Sequence, residues 1–124
     1  MSWIFDSNRP IYTQLIEQMK LSIISQVYPA GSKLPSVRDL AAQAGVNPNT
    51  MQKALSELER EGLVYTQRTA GRFITEDAQK VAKLKENLVS NEITNFFQKM
   101  QTMGFTNQEV LDAIHSTIKE ELSL

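Results

Sequence analysis

The 124-residue sequence contains no cysteine. That absence removes disulfides, thiolate zinc sites and a cysteine nucleophile in one step, and it is compatible with the cytosol. The single histidine, His115, cannot assemble a metal cluster alone and reads as a surface or interface residue. No apolar run approaches the roughly 18 residues of a membrane span. The start, MSWIFDSNRP, lacks the basic and apolar stretches of a secretory leader. A cytoplasmic protein with no membrane partner is therefore expected. Catalytic arrangements are missing as well: no paired nucleophile and base, no glycine-rich phosphate loop, no ligand cluster. Glu57, Glu59 and Glu61 read as helix surface. No enzyme activity and no cofactor are expected, and neither internal repeats nor low-complexity segments occur.

What is present is an ordinary globular balance, 41% hydrophobic and 22% charged, so disordered, collagen-like and fibrous classes lack support. The length suits one ordinary domain, or a small domain of about 70 residues with an appendage. The net charge of −1 conceals an asymmetry: residues 1–75 carry eight Lys/Arg against six Asp/Glu, and residues 76–124 carry five against eight. Such a split permits a DNA-facing half, because a local basic patch and not the whole-chain charge meets phosphates.

Periodicity divides the chain further. After Trp3, Ile4 and Phe5, Pro10 opens an amphipathic helix in which Ile11, Leu15, Met19 and Ile23 recur every four residues, flanked by Tyr12, Ile16 and Val27. Pro29, Gly31 and Pro35 interrupt the pattern, so residues 28–35 are predicted to be a loop. Ser36 with Asp39 reads as an N-cap and its acidic first turn, ahead of Leu40, Ala41 and Ala44. Gly45 ends that short helix, and Asn47 with Pro48 starts a third one, striped by Met51, Ala54, Leu55 and Leu58 and stopped by Gly62. A connection as tight as Ala44-Gly45-Val46 is that of a helix-turn-helix. Residues 63–66 and 73–75 are rich in β-branched and aromatic side chains, and residues 67–72 between them predict a hairpin with a polar, basic tip. Helix, helix, helix, hairpin is the order of a winged helix.

From about residue 76 the period becomes helical again. Val81, Leu84, Leu88, Ile93, Phe96, Phe97, Met100 and Met103 make a wide apolar face up to Gly104, with Lys80, Lys83 and Lys85 on its wet side. Thr106 and Glu109 form a capping-box pattern before Val110, Ile114, Ile118 and Leu122. Residues 76–124 are thus expected to form a tail of two antiparallel helices. Its face is too wide for one hairpin to bury, so Phe96, Phe97, Met100, Ile114 and Ile118 are expected to make a homodimer. The expected fold class is α+β, mainly α, with a winged helix over 1–75.

The run P-x-G-S-x-L-P-S-x-R-x-L-A is present as Pro29, Gly31, Ser32, Leu34, Pro35, Ser36, Arg38, Leu40 and Ala41. With Gly45-Val46, Thr50, Ala54-Leu55, Leu58, Glu61-Gly62-Leu63 and Gly71-Arg72-Phe73-Ile74, it closely resembles the GntR family of bacterial transcription regulators over residues 10–75. The short tail looks like that of the YtrA subfamily. The resemblance implies DNA contacts at Arg38, Thr50 and Gly71, a repressor that blocks polymerase from a roughly palindromic double-stranded operator, and an ABC-transporter gene set as target. Positions 48 and 52, arginine in some relatives, are Pro48 and Gln52, and the usual wing pattern G-x-G-T-F is replaced by residues 69–73. The target sequence is therefore not inherited.

The helix itself supplies the remaining candidates. Its N-terminal end fits the major groove and presents Asn47, Asn49, Thr50, Gln52, Lys53 and Ser56 outward. Asn and Gln pair bidentately with adenine, and Lys reaches guanine. Ser36 and Asn47 act foremost as helix caps, a role compatible with a phosphate contact. Arg68 and Arg72 suit the adjacent minor groove and its backbone. Two other classes compete: a sensor whose tail binds a small molecule, and a protein-interaction module whose winged helix has left DNA. The sequence names no small-molecule effector.

Overall fold

The computed structural model describes residues 3–122. The order of elements is α1 (Ile11–Ile24), α2 (Val37–Ala44), α3 (Pro48–Arg60), β1 (Val64–Gln67), β2 (Gly71–Ile74), α4 (Ala78–Thr102) and α5 (Asn107–Glu121). By compactness the chain divides into residues 1–85 and 86–124, with α4 beginning in the first unit and continuing into the second. No helix of the described residues is long and apolar enough to cross a membrane.

In the first unit α3 is the central element and packs against α1, α2 and β1. Its stripe of Met51, Ala54, Leu55 and Leu58 is fully buried with Leu15, Met19, Leu40 and Ile74. Burying a side chain of this size stabilises by roughly 1.5–3 kcal/mol, which explains why the four-residue spacing predicts these helices well. The helix starts are local. Asp39 N–H donates to Ser36 Oγ (3.1 Å) and Asn49 N–H to Asn47 Oδ1 (2.7 Å), each side chain accepting a donor that the helix cannot pair.

Between α2 and α3 the chain reverses at Gly45, which has φ +69°, while Val46 N–H reaches back to Ala41 O (3.0 Å). A Cβ built on Gly45 meets nothing within 4 Å, so glycine serves the backbone alone. Gly45→Ala is therefore expected to cost about 1 kcal/mol, and Gly45→Asn less. A thermal melt should order the three as Gly, Asn, Ala, with alanine several degrees below the parent.

Three features differ from the sequence pattern. Ile11, read as part of the α1 stripe, and Val27, read as its flank, are 37% and 51% exposed, while the polar Gln14 and Ser22 of α1 are buried. Gln14 is drawn in by an extended N-terminal arm: its amide accepts from Asp6 N–H (2.7 Å) and donates to Asp6 O (2.7 Å). One turn on, Gln18 Nε2 donates to Ile4 O (2.6 Å), so two glutamines four apart take the place of a strand partner.

The second difference lies in residues 28–35. The end of this predicted loop is paired onto β2: Ile74 N–H donates to Ser32 O, and Leu34 N–H to Arg72 O, both at 2.9 Å. Lys33 faces Phe73 across this edge. The third concerns the wing. β1 and β2 are antiparallel with Gln67 opposite Gly71, which leaves only Arg68, Thr69 and Ala70 as the tip. Gly71 and Arg72 are strand residues and not loop residues.

In the second unit the capping box forms as its pattern requires: Glu109 N–H donates to Thr106 Oγ1 (3.1 Å) and Thr106 N–H to Glu109 Oε1 (3.0 Å). Among the described residues of 86–122 only Val110 is buried.

Candidate nucleic-acid interface

The N-terminal half of α3 presents polar side chains to solvent. Asn47, Asn49, Gln52, Lys53 and Ser56 are exposed and Thr50 is half-buried. Because Met51, Ala54, Leu55 and Leu58 point inward, the 3.6-residue period turns 49, 52, 53 and 56 outward. Gln52 Nε2 donates to Ser56 Oγ (3.2 Å), a neutral pair that either partner can exchange for a base edge. Thr50, Gln52 and Lys53 border an open groove whose opposite wall is Tyr12 of α1. The sequence pattern assigned Tyr12 to the flank of an apolar stripe; only the packing of α1 on α3 places it here.

A second, larger cleft of about 950 Å³ separates the start of α2 from the wing. Ser36 lies on one side and Arg68, Gly71 and Arg72 on the other. Gly71, at φ +109°, has the Lys33 stem lying against it, so a Cβ would meet Lys33 Cε at 3.0 Å. Arg38 is exposed and, like Asn47 and Asn49, lines neither opening.

The ion pairs sort the cations of this unit. Arg9 is paired with Glu17, Lys20 with Glu61 and Arg60 with Glu57. The hydrogen bond from Arg60 holds the Glu57 carboxyl below the usual carboxylate range, and it raises the guanidinium in turn. By contrast Lys33, Arg38, Lys53, Arg68 and Arg72 have no carboxylate within ion-pairing distance among the described residues. They lie on α2, on α3, on the wing and on the segment paired to it. Unpaired cations beside neutral amides and hydroxyls make a surface suited to phosphates and base edges. Among the described residues no group of acidic, histidine or cysteine side chains could hold a metal ion.

The expected dimerisation residues are gathered on the tail. Phe96 is 41% and Ile118 39% exposed, while Phe97, Met100 and Ile114 are half-buried. The Phe96 and Phe97 rings meet edge to face, 5.8 Å between centroids. Val89, Ile93, Met103 and Leu111 are also exposed, at 43–59%. Val89 escaped the sequence reading because it sits beside the four-residue stripe and not on it.

Residues 11–74 match the family described as bacterial regulatory proteins, gntR family. The chain is 42% identical over 110 residues to YhcF of Bacillus subtilis (strain 168), an uncharacterized HTH-type transcriptional regulator, covering 89% of this chain and 91% of that one. It is 39% identical over 118 residues to YtrA of the same organism, an HTH-type transcriptional repressor, covering 92% and 85%. A solved structure described as a GntR family transcriptional regulator from Listeria monocytogenes superposes with a TM-score of 0.83 at 34% identity, covering 90% of this chain and 98% of that one. All three are transcription regulators and none is described as an enzyme.

Proposed function

The chain belongs to the GntR family of bacterial regulatory proteins, and from that membership we propose a repressor that grips a roughly palindromic operator as a homodimer. That it is a DNA-binding transcriptional regulator follows from the family; the rest is our reading. Residues 1–75 are the DNA-binding head and residues 76–124 the dimerisation tail. The observation that carries the proposal is the set of unpaired cations and neutral polar side chains on α2, the N-terminal half of α3 and the wing. Asn49, Gln52 and Lys53 read bases. Ser36, Arg38, Asn47, Thr50, Arg68, Gly71 and Arg72 hold the backbone or the minor groove.

The exposed face of Phe96, Phe97, Met100, Ile114 and Ile118 takes a second copy of the chain. Repression is favoured by the likeness to YtrA, a repressor by name, and the resemblance to its group extends the proposal to an ABC-transporter operon. Selection of sites from random duplex DNA tests the core of this reading. A recovered inverted repeat is expected; a set of sequences without two-fold symmetry, or none at all, refutes it.

Arg38 separates gripping from reading. It sits in the first turn of the helix before α3, exposed and without a carboxylate partner, where a helix-turn-helix crosses the backbone. Arg38→Ala is expected to weaken selected and scrambled duplexes alike and to make the salt slope shallower by about 1 per bound head. Binding isotherms at several salt concentrations check this, and a loss confined to the selected site would make Arg38 a base reader instead.

A further inference from the structure

We propose that Lys33 is a DNA-phosphate contact that completes a seat between the wing and the start of α2. The inference rests on the DNA-binding reading of the head and adds a residue for which the sequence pattern gave no reason, since it lies in a predicted loop.

The backbone at Lys33 is held on both sides, by Ile74 N–H to Ser32 O and by Leu34 N–H to Arg72 O, both at 2.9 Å. Side chains alternate along such an edge. Leu34 turns into the core, 3% exposed, so Lys33 must turn to the other face, where it is exposed. There its stem runs over Gly71, the one wing residue whose lack of a Cβ admits it. Lys33 and Gly71 both line the cleft between the wing and α2.

The cleft is short of negative charge. Arg72, half-buried on its wall, has no carboxylate partner among the described residues. Lys33, Arg68 and Arg72 stand there against one carboxylate, Asp39. Ser36 Oγ already takes the Asp39 N–H, and the first turn of α2 opens on the same cleft. A phosphodiester oxygen would pair with the ammonium. A free ammonium on a flexible stem follows charge and not base pattern, so the contact positions the head and carries no sequence information.

The test uses the full chain with a fluorescent duplex of the selected site and a scrambled duplex. Lys33→Ala should weaken both by the same several-fold factor, make the salt slope shallower by about 1 per bound head, and leave the melting temperature unchanged. Lys33→Arg should restore binding. Gly71→Ala should lose less affinity in the Lys33→Ala background than in the parent, because the stem it displaces is gone. Acetylation of the Lys33 amine should slow on adding either duplex. A parental slope with unprotected Lys33 overturns the assignment, as does a loss limited to the selected site. A parent chain that binds neither duplex overturns the DNA reading itself.

Discussion

Phe97→Asp and Ile118→Asp are expected to turn the protein into monomers and to weaken its grip on a two-half-site operator by about 10²–10⁴-fold, the advantage that linking two binding heads confers. In a single chain Ile118 is 39% exposed and Phe96, in ring contact with Phe97, is 41% exposed. Beside them Ile93 and Met103 show 51% and 59% of their surface. A chain that leaves so many large apolar side chains on one pair of helices has an unmet burial demand, and a second copy would present an identical face to meet it. A carboxylate set into that face would have to be desolvated without a partner, so association is lost while the head keeps its own core. Sedimentation velocity reads the assembly state and operator titration reads the affinity. A parent chain that sediments as a monomer at micromolar concentration would refute the role of the tail, as would monomeric variants that bind the full operator as tightly as the parent.

Alanine at Asn49, Gln52 or Lys53 carries the second large effect, about 1–3 kcal/mol per head on the preferred sequence wherever the side chain pairs with a base. In the proposed dimer two heads meet the operator, so the loss counts twice there. Asn49 is free to turn toward a base edge, whereas Gln52 must release Ser56, 3.2 Å away, an exchange that water makes cheap at an exposed site. Lys53 has no carboxylate partner among the described residues and can choose guanine or a phosphate. Isotherms on selected and scrambled duplexes distinguish the two: a reader loses the preferred site and keeps the scrambled one, while a phosphate contact loses both. At least one of the three is expected to behave as a reader. If all three variants keep the parental preference, α3 is not the reading head.

Much of the head was legible because its signals are short-range. The caps at Ser36, Asn47 and Thr106 are written within three residues of the donors they accept. The turn at Gly45 needs a left-handed residue just after a helix, and the stripes of α1, α2 and α3 follow the helical period. The wing was legible as a hairpin but not in register. Its length was overread because Gln67, Gly71 and Arg72 look like turn residues and yet pair.

The amino-acid order by itself determined which segments become helix or hairpin, the capped helix starts, and the inward stripe of α3, since those outcomes depend on hydrogen bonds and periodicities spanning a few residues. Only the tertiary structure decided that Gln14 and Gln18 bind the N-terminal arm, that residues 31–34 join β2, and that Tyr12 and Lys33 reach the two openings beside α3 and the wing. Ser32 and Ile74 are far apart in the chain and share a hydrogen bond only after α1, α2 and α3 have packed. A loop rich in proline and glycine carries no periodicity of its own, so its partner is chosen by the surface that the packed core leaves beside it.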